Sequence, residues 1–284
     1  MTLLDAVIIF VYLVGIVVVG IRYRGRQDNI RDYFTAQQGF SGLLGTTMVG
    51  LSLGATLFSA LTFVAFPSVI YTYGVTALTA ILGFPAAYLV LRFWFLPRYF
   101  AFTQESPYDI IQRRFGKPTR LAASAMFVLL RLCWMGALIY ASVIVVMASG
   151  GLNDSWFWPL TLLIGISSTA YTVVGGIRGV IVTDAIQFLL IIAVLLVTII
   201  YAFVKIPLSL GEVSDYLHSN TGLLDLNWSL DPTLTMTVWA MAFGGTMQNM
   251  SSFMADQMSL QRYLASGSVK SASSAFGVSM VCLL

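Results

Sequence analysis

The chain is a succession of apolar runs, each about as long as a bilayer is thick. They lie at 3–21, 43–70, 75–96, 121–148, 157–174, 180–206, 234 to about 264, and from about 272 to the end. A helix rises about 1.5 Å per residue, so about 20 such residues span roughly 30 Å of hydrocarbon, where only a backbone bonded to itself is stable. These runs therefore predict an all-α polytopic membrane protein. Only 10% of residues are charged, against roughly 25% in a soluble chain, and seven or eight crossings in 284 residues leave no room for a soluble domain.

Charge placement sets an expected orientation. The first run carries Asp5 at its start and is followed by Arg22, Arg24 and Arg26, so it is not a signal peptide and is expected to enter with its N-terminus outside. Counting alternate crossings, the inside loops hold Arg22, Arg24, Arg26 and Arg31, then Arg98, Arg113, Arg114, Lys117 and Arg120, then Arg178, then Arg262 and Lys270. Outside, only Lys205 appears, at a helix end, and the loop 207–232 carries Glu212, Asp215, Asp225 and Asp231. This is the positive-inside pattern. The expected location is a plasma membrane, or the inner membrane if the source is a bacterium.

Cys133 and Cys282 lie in apolar runs and imply no disulfide, while the one histidine, His218, stands in a polar loop without a second ligand nearby. No metal centre, organic cofactor or nucleic-acid partner is expected. In the inside loop SPYDIIQRRFGKPTR, Ser106 is an N-cap, Pro107 a first helical residue, Asp109 sits in the first turn, Arg113 and Arg114 in the last, and Gly116 closes it. A short interfacial helix is expected there.

Two runs are too long and too polar to be plain spans. The second has Gly50 and Gly54 followed by Thr56, Ser59 and Thr62, with Pro67 beyond; the seventh has Gly244 and Gly245 followed by Gln248, Asn249, Ser251 and Ser252. Small and hydroxyl residues also serve close helix packing. Their placement argues for more. If the first helix is peripheral, these runs open two sets of five helices that enter the membrane from opposite sides, and paired glycine-interrupted helices point to a transport site near the midplane. Unwound backbone there offers carbonyls and helix ends to a cation and a polar solute.

The stretch TAYTVVGGIRGVIVTDAIQ resembles a signature of the sodium/solute symporter family, DQMSLQRYLAS resembles its second signature, and SPYDIIQRRFG its usual first inner loop. SLGATLFSALTFVAFPSVIYTYG resembles most the monocarboxylate, multivitamin and iodide branch. The resemblance implies an inverted-repeat helix bundle of the LeuT type with broken first and sixth core helices. It divides the chain into a peripheral helix (1–22), a first five-helix repeat (42–206), an outer loop (207–232) and the start of a second repeat (233–284). It also implies sodium as the coupling ion. Carbonyls at Ala55 and Phe58 match the family's sodium ligands, and Ser59, Thr62 and Tyr140 match side chains tied to sodium in the iodide-like branch, although Thr62 replaces the longer amide of some members.

Asp184 matches an acidic residue beside the inner sodium path. An intramembrane carboxylate is costly, which favours such a role; the alternatives are a pairing with the intramembrane Arg131 or a charge stabilised at a helix N-terminus. Arg131 itself is expected to snorkel inward or brace the bundle. By analogy with broken-helix carriers, Thr56, Ser59, Gln248, Asn249, Ser252 and Phe253 line the solute pocket, with an aromatic ring as gate. No acidic residue stands at either break, so an anionic or neutral solute is expected. The expected function is a sodium-coupled symporter working by alternating access; a transporter-like solute sensor and a transport-incompetent fragment are the other readings, and no constellation suggests an enzyme. The last run supplies only about a dozen residues of a crossing that needs about 20, so the second repeat reads as truncated.

Overall fold

A computed structural model describes residues 3–23, 36, 39–58, 60–102, 107–205, 209, 211–215 and 223–283. Ser59, the proposed cap Ser106, His218, and Arg24, Arg26 and Arg31 lie outside the described residues. Among those described, the chain is helical, with irregular connections and no strand.

Helix α1, Leu3–Arg22, has the length of one crossing. Helix α2, Gly42–Ala55, is buried from Val49 to Gly54 and lies between later parts of the chain. Its glycines are there for contact. A Cβ on Gly50 would stand 2.6 Å from the carbonyl oxygen of Ala275, and one on Gly54 would stand 2.7 Å from the ring of Phe188. After the break, α3 runs Ala60–Tyr73 with Pro67 inside it, and Gly74 (φ 68) separates it from a 3-10 stretch, Gly74–Leu82. Helix α4, Gly83–Val90, a π turn, Leu91–Phe95, and α5, Leu96–Phe102, complete that crossing.

A short helix stands where one was expected, as α6, Pro107–Phe115, and Gly116 (φ 85) ends it. Arg120 reaches back to Asp109 (3.5 Å) and Gln112, pinning α6 to the start of α7, Lys117–Gly150. Gly151 closes α7 in the left-handed region, where the N–H of Leu152 bonds the carbonyl of Met147 (3.0 Å).

Helix α8, Phe157–Lys205, is two helices joined at Gly176. At φ 57, ψ −171 that residue occupies a conformation open essentially only to glycine, and the two expected runs, 157–174 and 180–206, fall on either side of it. The neighbouring glycines do different work: Gly175 and Gly179 both face the carbonyl oxygen of Gly20 on α1, which would lie 3.2 and 3.1 Å from an added Cβ. The GGxxG portion of the signature thus makes an elbow and a docking face for α1.

Helix α9, Val238–Met250, is capped by Thr237, whose hydroxyl accepts from the N–H of Ala240 (3.2 Å). A π turn, Ser251–Ala255, leads to α10, Gln257–Ala265, and α11, Val269–Leu283, follows. Alpha-helical hydrogen bonding runs through Gly244 and Gly245, so the glycine pair is not where this segment opens; the departure is at Asp256 (ψ 123). Packing explains the shift. Gly245 lies directly on the Ala80 carbonyl, and Gly83 on Gly245 and the Thr246 nitrogen, so these glycines let two backbones meet.

The connection before α9 is stitched to the 3-10 stretch. The hydroxyl of Thr76 donates to the carbonyl of Asp225 (3.2 Å) and accepts from the N–H of Asn227 (3.0 Å), and the N–H of Val75 bonds Leu223 (2.7 Å). Three helical stretches, Ala65–Phe102, Lys117–Gly150 and Asp154–Lys205, are long and apolar enough to cross a membrane, the last long enough to do so on both sides of its elbow.

Candidate functional site

The first core helix stops at Ala55 because its carbonyls turn to local partners. The Thr56 hydroxyl donates to the carbonyl of Leu53 (2.6 Å), the N–H of Leu57 to Gly54 (3.1 Å), and the N–H of Phe58 to Ala55 (3.3 Å). Across the gap, the Thr62 hydroxyl donates to the carbonyl of Leu57 (3.3 Å). A carbonyl oxygen has two lone pairs, so the Phe58 N–H by itself does not exhaust the acceptor capacity of Ala55. Ala55 and Phe58 both pack on the cluster of Leu51, Ala185 and Phe188, with the Phe58 and Phe188 ring centroids 5.7 Å apart.

One helical turn earlier on both helices lies the charge. The Arg262 Nη2 donates to Asp184 Oδ2 (2.6 Å), its Nε to the Ser52 hydroxyl (2.7 Å), and that hydroxyl in turn donates to the same Asp184 oxygen (2.9 Å). Nη1 of Arg262 bonds the carbonyl of Met258 (3.0 Å). Arg262 is 2% exposed. A guanidinium at that depth is stable only with its donors engaged and a carboxylate against it.

This corrects two expectations. Arg262 is not a loop cation, because its charge is consumed inside the fold. The carboxylate partner of Arg131 is Asp256, not Asp184. Arg131 braces the bundle: it lies over the Phe127 ring (5.4 Å) and pairs with the residue that caps α10.

The structure thus brings Ala55, Phe58 and Asp184 to one interface between α2 and α8. Tyr140 is exposed on α7 with its ring edge-on to Phe157 (6.0 Å). Of the expected solute contacts, Thr56 is exposed at the break. Gln248 is exposed and its amide donates to the hydroxyl of Ser252 (3.4 Å); Asn249 is buried. Phe253 is 1% exposed and packs edge-on to Phe276 at 4.5 Å, a core position. Ser52, Asp256 and Arg262 went unremarked in the sequence as partners. The available signal was charge balance, since each intramembrane carboxylate needs a cation and DQMSLQRYLAS offers one of each.

The family's sequence model, that of the sodium:solute symporter family, matches residues 33–284. The chain belongs to that family. It is 32% identical over 229 residues to a sodium-dependent multivitamin transporter of Oryctolagus cuniculus, covering 81% of this chain and 35% of that protein. It is 29% identical over 262 residues to the sodium/iodide cotransporter of Homo sapiens, covering 92% and 39%. The chain therefore spans less than half the length of these relatives. A solved Na+-coupled sialic acid symporter, in a substrate-bound outward-open state, superposes with a TM-score of 0.82 at 24% identity, over 99% of this chain and 57% of that one. This chain therefore has the fold of the corresponding part of that symporter.

Proposed function

We propose that the protein is a sodium-coupled symporter of a small anionic or neutral solute, and that residues 1–284 contribute the first broken helix, the start of the second, and the inner ion path. The observation that carries this reading is the cluster of Ser52, Asp184 and Arg262 one turn below the break at Ala55. A carboxylate, a hydroxyl and backbone carbonyls are the hard oxygen donors an alkali cation takes. The break takes carbonyls out of regular α-helical bonding, and Asp184 supplies a charge on the route inward.

Arg262 gives Asp184 a second role. With the guanidinium on Oδ2 the carboxylate is neutralised, and a sodium ion passing inward takes its place only when α10 withdraws. Sodium then occupies Asp184 in one state of the cycle and arginine in the other. The relatives named above are multivitamin and iodide transporters, and the first break, Thr56–Phe58, holds no acidic residue, which fits solutes of that charge. The divisions 42–206 and 233–284 are read as parts of two inverted repeats, with Ser59, Thr62 and Tyr140 as further sodium contacts and Thr56, Gln248, Asn249 and Ser252 toward the solute.

The test is uptake into proteoliposomes by the protein expressed from its complete reading frame, with iodide, a monocarboxylate and a vitamin carboxylate as solutes, in sodium against potassium. Sodium-dependent uptake of at least one is expected. Asp184→Asn is expected to raise the sodium concentration for half-maximal uptake several-fold at normal membrane abundance. Unchanged sodium dependence in a well-expressed Asp184→Asn protein rejects the ion-path role.

A further inference from the structure

Helix α10 is buried on nearly every side. Leu260, Arg262, Tyr263, Leu264, Ala265 and Ser266 are each no more than 2% exposed. Consecutive positions point in different directions around a helix, so this nine-residue rod shows no open face over its second half. It is bounded by two joints: Asp256, extended after a π turn, and Gly267, at φ 78.

Two ion pairs tie this rod to different elements. At its N-terminus Asp256 pairs with Arg131 of α7; six residues on, ~9 Å along the axis, Arg262 pairs with Asp184 of α8 and with Ser52 of α2. The two are not equivalent. The side chains of Arg131 and Asp256 are 25% and 26% exposed, whereas those of Arg262 and Asp184 are 2% and 15% exposed. Parting a fully enclosed pair leaves both charges in the interior, so the less enclosed pair parts at lower cost. Asp256 also does double service, because its other oxygen accepts from the N–H of Met258 (2.9 Å) and so fixes the first turn of the rod.

We propose that α10 is a gate closed by two ion pairs that open in order, the Arg131–Asp256 pair first and the Arg262–Asp184 pair second, with Arg131 and Asp256 as positioning residues for the ion path. The gate's use in transport rests on the symporter reading above. Its mechanics rest on the contacts alone. Parting Arg131 from Asp256 frees the rod at its less buried end while its buried end stays locked, and the Tyr108 ring, 6.0 Å from that of Phe127 beneath Arg131, extends the same contact to α6.

The test uses Ser266→Cys, at the buried end of α10, in a Cys133→Ser, Cys282→Ser background expressed from the complete reading frame. The rate of modification by a membrane-permeant maleimide is followed without sodium or solute. Asp256→Asn keeps an oxygen for the Met258 N–H and removes only the charge, so it separates the latch from the cap. Asp256→Asn and Arg131→Gln are each expected to speed modification roughly five- to tenfold, within the range of a partly exposed pair. The double variant Arg131→Gln, Asp256→Asn decides between gate and scaffold. It leaves no unpaired charge, so a merely structural role returns the rate to that of the parent, whereas a latch leaves it raised. A parental rate in the double variant overturns the proposal, including when either single variant fails to reach the membrane. Because no uptake is measured, a protein that carries no solute with sodium refutes the proposed function and leaves this gate standing.

Discussion

At the scale of single residues, Asp184 shows how the fold carries a charge through an apolar run. Its oxygen receives a guanidinium and a hydroxyl from two other helices, and the three groups have unequal weight. Ser52→Ala removes two hydrogen bonds and leaves Nε of Arg262 without that acceptor, a loss of about 1–2 kcal/mol. Arg262→Gln leaves a carboxylate without its cation in a largely dry interface, a loss of about 3–5 kcal/mol. Thermal unfolding of the detergent-solubilised protein is expected to rank them in that order, with Asp184→Asn recovering most of the loss when added to Arg262→Gln. Equal effects of Ser52→Ala and Arg262→Gln would show that Asp184 does not depend on arginine. The carboxylate itself was legible in the sequence, since a lone acid in a run from 180 to 206 is conspicuous. Its partner was not, because Arg262 is 78 residues away at the edge of an apolar run, where a cation reads equally well as a loop charge.

At the scale of elements, glycine pairs separate what sequence can show from what only packing shows. Gly175–Gly176 and Gly244–Gly245 look alike in the sequence, yet one pair makes an elbow and the other lies within a helix. The apolar runs and the short helix after Ser106 were legible because each follows from local chemistry, namely hydropathy, an N-terminal proline and a closing glycine, whereas the place of the first break, at Ala55, came from the family resemblance. The second break was misplaced because the function of Gly245 lies in Ala80 and Gly83, more than 160 residues earlier. A paired substitution tests this account. A Cβ on Gly244 meets nothing within 4 Å, whereas one on Gly245 collides with the Ala80 backbone, which cannot rotate away as a side chain does. Gly244→Ala is therefore expected to leave the melting temperature unchanged or raise it slightly, since alanine favours helix by up to about 1 kcal/mol. Gly245→Ala is expected to lower it by several degrees, in line with an overpacking cost of about 1–3 kcal/mol. The reverse ranking would mean that Gly245 marks an unwound segment after all.

At the scale of the whole molecule, two patterns of charge meet. One is the exposed set in the loops, which orients the chain in a bilayer; the other is the internal set, Arg131, Asp184, Asp256 and Arg262, which pairs within itself and so adds nothing to orientation. Removing Arg262 from the loop count leaves Lys270 on that side and does not reverse any connection. The remaining cations of 98–120 still outweigh those of 205–232, where Glu212 is held by the backbone N–H and hydroxyl of Ser209 (2.7 and 2.8 Å) and Asp231 by Thr233. Loop cations resist translocation, so the side bearing α6 is expected inside and the side bearing Ser209 outside. Thr119 is exposed on the first turn of α7, directly after α6, and Ser209 is exposed after the end of α8. Counting from Thr119, α7 and the two arms of α8 make three crossings, an odd number, so the two positions must lie on opposite faces of the membrane. In a Cys133→Ser, Cys282→Ser background, Ser209→Cys is expected to react with an impermeant maleimide on intact cells, and Thr119→Cys only after permeabilisation. Labelling of both from outside would mean that α8 crosses once and that its Gly176 elbow is a bend within a single span. Labelling of Thr119→Cys alone would keep the three crossings and invert the whole bundle, moving the Asp184 cluster to the outer path.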